Sequence, residues 1–103
     1  MNLIHAIVKK VKQRQYEFSR HALDQTIVRN ISVPEIETAI LNGGEVVENY
    51  ADDKYGPSCL LLGFTNTGRP IHIQCSYPDR HLIKIITAYE PDPTRWTDYR
   101  VRK

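Results

Sequence analysis

Gly68-Arg69-Pro70-Ile71-His72-Ile73-Gln74-Cys75-Ser76-Tyr77 sets the architecture of this 103-residue chain. From Pro70 to Tyr77 polar and apolar residues alternate, the two-residue period of a strand with one apolar face. Ile71, Ile73, Cys75 and Tyr77 fall on that face, and His72, Gln74 and Ser76 project from the other. Asn66–Gly68 supplies a turn before the strand and Pro78–His81 another after it. Outward from there, Glu45–Tyr50, Ser58–Phe64 and Leu82–Tyr89 also read as strands, with Asp52–Pro57 as the remaining turn. Connections this short favour consecutive antiparallel hairpins. The turn at Asn66–Gly68 sets Cys59 opposite Cys75. A four-residue turn at Pro78–His81 pairs Tyr77 with Leu82, His72 with Thr87 and Pro70 with Tyr89, so that His72 and Tyr89 share a face. A slip of one residue would send Tyr89 to the opposite face.

The N-terminal half has the helical period instead. Leu3, Ile4, Ile7, Val8 and Val11 form one stripe, with the basic residues mainly elsewhere. A short extended piece, Tyr16–Phe18, follows, and Ser19 is a fitting N-cap for a second helix through Arg29, with Asn30 at its C-terminal end. Leu23 and Ile27 are its expected core-facing residues. Ser32-Val33-Pro34-Glu35 is a capping box with proline in the first turn; Ile36, Ala39 and Ile40 make an apolar side, and Gly43-Gly44 ends the third helix. Helices first and strands after predict an α+β domain over residues 1–103: two or three N-terminal helices packed on an antiparallel sheet of about four strands. The polar tail, Pro91 to Lys103, is expected to hold a short helical turn around Trp96.

Composition excludes several classes. The apolar share (41%) and charged share (25%) are those of a globular chain. No apolar run approaches the roughly 20 residues of a membrane helix, and no secretory signal is recognisable, so a cytoplasmic location is expected. Cys59 and Cys75, as direct cross-strand neighbours, could oxidise where geometry allows, but in a reducing cytosol they are expected as two buried thiols. Outside any CxxC or HxxxH spacing they give only weak support to a zinc site, and no metal or cofactor is expected. Walker, dinucleotide and GxSxG motifs are absent. Charge is segregated: residues 1–33 carry six cations against two acids, residues 34–57 one against six, and the remainder seven against four. Separate basic and acidic surfaces are one reading, with the basic one suited to phosphate; an ordinary solvated surface is the other.

His21, Gln25 and Arg29 are spaced i, i+4, i+8 and share one helix face. Two histidines on different elements, arginines and a tyrosine suit one reaction class, RNA cleavage by its own 2′-hydroxyl. That step needs a base, an acid and cations for the phosphate, but no metal. Histidine serves as acid or base near neutrality, arginine forks phosphate oxygens, and tyrosine stacks on a base or donates a hydrogen bond. The candidate catalytic residues are His21, Arg69, His72 and Tyr89; Gln25, Arg29, Gln74 and Arg100 are the candidate substrate-binding set. His72 as base and His21 as acid is one assignment, and the two are exchangeable. A solvated helix face and a half-buried histidine satisfied by a carbonyl are the structural alternatives.

Phe18-Ser19-Arg20-His21-Ala22, Arg29-Asn30-Ile31-Ser32, Gly56-Pro57, Leu62-Gly63-Phe64, Gly68-Arg69-Pro70-Ile71-His72 and Thr87-Ala88-Tyr89-Glu90-Pro91 with Trp96 resemble a bacterial domain-of-unknown-function family over roughly residues 16–97. That family is similar to the RelE, MqsR and BrnT toxins of the barnase–EndoU–colicin–RelE fold. The resemblance implies a metal-independent endoribonuclease toxin of a type II toxin–antitoxin pair. It implies RNA (mRNA above all) as substrate and a small zinc-finger or DNA-binding antitoxin as partner, with homodimerisation left open. The alternative is a non-catalytic RNA- or protein-binding module on the same fold. A structural or metal-binding accessory protein is a third reading, without ligand spacing to support it. Gln25 and Thr26 depart from the family's usual second helix, which often has a further basic or polar residue and a methionine there.

Overall fold

The computed structural model describes residues 2–103. Helix α1 (Leu3–Lys12) opens on Asn2, whose side chain accepts the His5 N–H, and buries Ile7 and Val11 of the expected stripe. Strand β1 (Tyr16–Phe18) is the short extended piece. Helix α2 (Arg20–Val28) is capped by Ser19, and helix α3 (Val33–Leu41) starts on the full Ser32–Glu35 capping box and buries Ile36, Ala39 and Ile40. Asn30 takes a positive φ of 52° between the two helices. Then come β2 (Glu45–Tyr50), β3 (Ser58–Phe64), β4 (Pro70–Ser76) and β5 (Ile83–Tyr89).

The fold is α+β as expected, but the main sheet has five strands in the order β1-β5-β4-β3-β2 and is mixed. β1 adds itself parallel to β5 at the edge of the sheet, Glu17 beside Lys84. The β3–β4 register is the one predicted, Cys59 facing Cys75; both are buried free thiols. The β4–β5 register is shifted by two residues: His72 faces Tyr89 and Gln74 faces Thr87. A bulge between Gln74 and Cys75 on one side and Thr87 and Ile85 on the other takes up the extra residue. A shift of two preserves facing, so His72 and Tyr89 still lie on one side.

Two layers cover the sheet. On one face α1 and α3 pack over Leu61, Ile71, Ile73 and Ile85. Gly63 lets α3 come close: a Cβ there would lie 2.0 Å from the Ala39 carbonyl oxygen. α2 contributes Ala22 to the core, and Leu23 and Ile27 do not face it; they are 47% and 82% exposed. The helix lies along β5 at the side of the sheet, so the small residue makes the close contact and the larger ones point outward. On the other face lies the tail. A single turn, with the Trp96 N–H donating to the Asp92 carbonyl, leads into a hairpin of β6 (Trp96–Thr97) and β7 (Val101–Arg102) rather than ending there. Its three-residue loop, Asp98 to Arg100, puts both Asp98 (φ 53°) and Tyr99 (φ 61°) in the left-handed region.

Three acids of the 34–57 segment pair with basic residues from later in the chain: Arg100 with Glu45, Arg102 with Glu48, and Arg69 with Glu35.

Candidate functional site under the C-terminal hairpin

His72 leaves the middle of β4 on the face opposite the helices and is fully buried beneath the hairpin. Its Nε2 lies 2.7 Å from the Tyr99 carbonyl oxygen and its Nδ1 3.2 Å from the Tyr89 hydroxyl. A carbonyl only accepts, so Nε2 carries a proton. In the neutral ring, the form that burial favours, Nδ1 receives the Tyr89 O–H. Trp96 meets it edge to face at 4.5 Å between centroids. Burial lowers the His72 pKa; the Tyr99 carbonyl and the Glu48 charge oppose this, and Arg102 reinforces it. Burial likewise pushes the Tyr89 phenol up, against the charges of Arg102 and Arg29.

Tyr89 is the half-exposed member of the pair. The exposed Arg29, at the C-cap of α2, donates to the Ala88 carbonyl at 2.8 Å and sets its guanidinium 5.7 Å from the Tyr89 ring centre. Arg102 stacks 4.6 Å over Trp96 and donates to Glu48 at 2.8 Å. Burial works against ionisation of Glu48, but hydrogen bonds from Arg102 and from Tyr50 outweigh it and hold the carboxyl below its ordinary range. A bulge around Val47 puts Glu45 and Glu48, three residues apart, on the hairpin side together. Tyr89 thus has arginines of opposite origin near it and a neutral imidazole behind it.

The other sequence candidates fall in different places. Arg69 is a clamp: it donates to the carbonyls of Asn30 (2.8 Å) and Arg29 (3.2 Å), pairs with Glu90 at 3.1 Å and lies 3.5 Å from Glu35. It ties the ends of α2, α3 and β5 together. His21 is exposed in the first turn of α2, eight residues and about 12 Å of helix from Arg29. Gln25 is half-buried on the same helix. Gln74 lies two residues along β4 from His72 on the same face and donates to Ser58 Oγ at 3.2 Å. Arg100 is engaged with Glu45 and Asp98. Sequence reasoning missed Arg102, Glu48 and Tyr99 as neighbours of His72. The one available signal was the opposite charge of residues 34–57 and the tail.

Together these features define an α+β protein with helices on one sheet face and a histidine–tyrosine pair sealed under a hairpin on the other. The chain belongs to the family described as a domain of unknown function (DUF4258), whose model matches residues 18–90. No curated protein and no solved structure matches it. Among the described residues no helix is long and apolar enough to cross a membrane, and no group of three or more His, Cys, Asp or Glu side chains is placed to hold a metal ion.

Proposed function

We propose that the protein is a metal-independent endoribonuclease acting in the cytoplasm as the toxin of a toxin–antitoxin pair, and that Tyr89 is its reacting side chain. The observation that carries this reading is the Tyr89–His72 hydrogen bond with Arg29 beside the phenol. In the cleavage step the phenol oxygen takes the proton of an RNA 2′-hydroxyl while passing its own proton to His72 Nδ1. The 2′-oxygen–phosphorus bond forms, the bond to the 5′-oxygen breaks, and solvent protonates that leaving oxygen. In this scheme Arg29, beside the Tyr89 ring, and Arg102 supply the cations for the charge that gathers on the phosphate. Routing the proton through Tyr89 reconciles the chemistry with a base that RNA does not touch. His21 stands two turns of helix from the Arg29 end of the site and has no assigned role in this scheme. The partner is a small antitoxin, of zinc-finger or DNA-binding type.

A second reading is favoured by one observation. His72 is completely buried with both ring nitrogens satisfied inside the protein, as in a module that holds RNA or a partner protein without cutting. One experiment separates the two. Purified protein incubated with structured and unstructured RNA in chelator is expected to give cleavage, and its expression is expected to arrest growth. Salt-dependent binding without product would give the function to the second reading.

A further inference from the structure

A cleft of about 720 Å³ opens on the same sheet face, clear of the hairpin. Its floor is made of Ser58, Gln74 and Ser76, and Lys84 and Ile86 of β5 form one wall. Ser58 and Ser76 are direct partners across β3 and β4, and both are buried. Paired buried serines are a poor choice for packing, since a hydroxyl contributes little apolar area and must be hydrogen-bonded. Each is only half used. Ser58 Oγ accepts from Gln74 Nε2, and Ser76 Oγ accepts from the Lys84 N–H at 2.8 Å. Each hydroxyl keeps its own proton to give, and Gln74 keeps Oε1 to receive. The floor therefore offers two donors and an acceptor within a few ångströms.

The rim decides the class of ligand. Arg80 and Lys84 are matched there by Asp53 and Asp79, so a free phosphate gains no net attraction. A neutral, flat, polar group does fit: its edge meets the hydroxyls and the amide, and its face meets Ile86. Tyr55 stands at the mouth, 87% exposed, with the Lys54 ammonium 5.0 Å from its ring centre and its other face open to stack on what enters or follows. Those are the requirements of an unstacked base of single-stranded RNA.

We infer that this cleft is a nucleobase pocket that reads one base of the strand whose phosphate lies at Tyr89. The inference rests on the RNA reading of the neighbouring site. Gln74 is two residues from His72 along β4, a rise of about 7 Å, so base pocket and phosphate site adjoin on one face. The phosphate site positions the strand, and the pocket supplies sequence preference.

The test is a titration of the isotope-labelled full chain with each nucleoside 5′-monophosphate and with a short single-stranded oligoribonucleotide, following backbone amide shifts. Saturable shifts are expected at Ser58, Gln74, Ser76 and Lys84, with one base preferred and the oligonucleotide bound at least tenfold more tightly. Gln74→Leu is expected to weaken binding fivefold or more with the fold retained. If that variant does not fold, Tyr55→Ala at the exposed mouth is expected to weaken it threefold or more. Absence of shifts at the cleft with every ligand overturns the pocket, as does binding that these variants leave unchanged. Equal affinity for monophosphate and oligonucleotide moves the ligand to a free nucleotide and overturns the RNA assignment. Cleft shifts in a protein that never cleaves RNA leave the pocket standing and remove the catalytic reading.

Discussion

His72 is buried as a neutral ring, and the sign of its pH response follows from that. Its pKa in the folded chain is below the ordinary value of about 6.5. Between that value and the folded pKa the unfolded chain binds more protons than the native one, so stability rises with pH in this range. The contribution is fully present above about pH 6.5 and is lost as acid drives the pH down through the folded pKa. Denaturant midpoints measured from pH 7.5 to 5 are expected to fall with acid in the parent protein. In His72→Gln, which retains a donor for Tyr99 and an acceptor for Tyr89, that fall is expected to flatten. Equal slopes would remove His72 as the source. Arg69 illustrates the limit of reading roles from residue type: its fork suits phosphate, yet here it is spent on two carbonyls and two carboxylates. Arg69→Lys is expected to cost about 2 kcal/mol of stability by urea denaturation. A variant as stable as the parent but unable to cleave would return Arg69 to the phosphate.

At the scale of elements, local signals and tertiary ones separate cleanly. The capping box of α3, the alternation of β4 and the turn at Gly68 are encoded within a few residues each, and each was legible. The parallel addition of β1, the two bulges and the return of the tail over the sheet depend on contacts between distant segments. No local pattern announces them. The outward turn of Leu23 and Ile27 has the same cause, because the side of α2 that packs is set by its position beside β5. Gly63 and Trp96 mark the two packing contacts of the sheet. Gly63→Ala would drive a methyl into the Ala39 carbonyl, and a loss of about 3 kcal/mol or more is expected by denaturant titration. Trp96, 5% exposed, roofs His72 from the hairpin. Trp96→Ala is expected to cost about 3–5 kcal/mol. A loss below about 1 kcal/mol would show the hairpin to be an ornament.

Across the whole molecule the two sheet faces divide the labour. One is closed by α1 and α3 into the main core; the other carries the polar side chains, half under the hairpin and half in an open cleft. The sequence placed His72, Gln74 and Tyr89 on that second face through the alternation of β4 and β5. The cover over His72 was not legible, because Asp98 and Tyr99 adopt a turn that usually calls for asparagine and glycine. In the proposed ribonuclease reading, burial of His72 makes Tyr89 the side chain that meets the substrate. The direct measurement is single-turnover cleavage of a labelled RNA in chelator by the parent protein and by Tyr89→Phe, with analysis of the product ends. The parent is expected to leave 2′,3′-cyclic phosphate and 5′-hydroxyl ends, and a folded Tyr89→Phe to cleave about a hundredfold more slowly. Equal rates from the two proteins, or no cleavage by a folded parent, would contradict that reading.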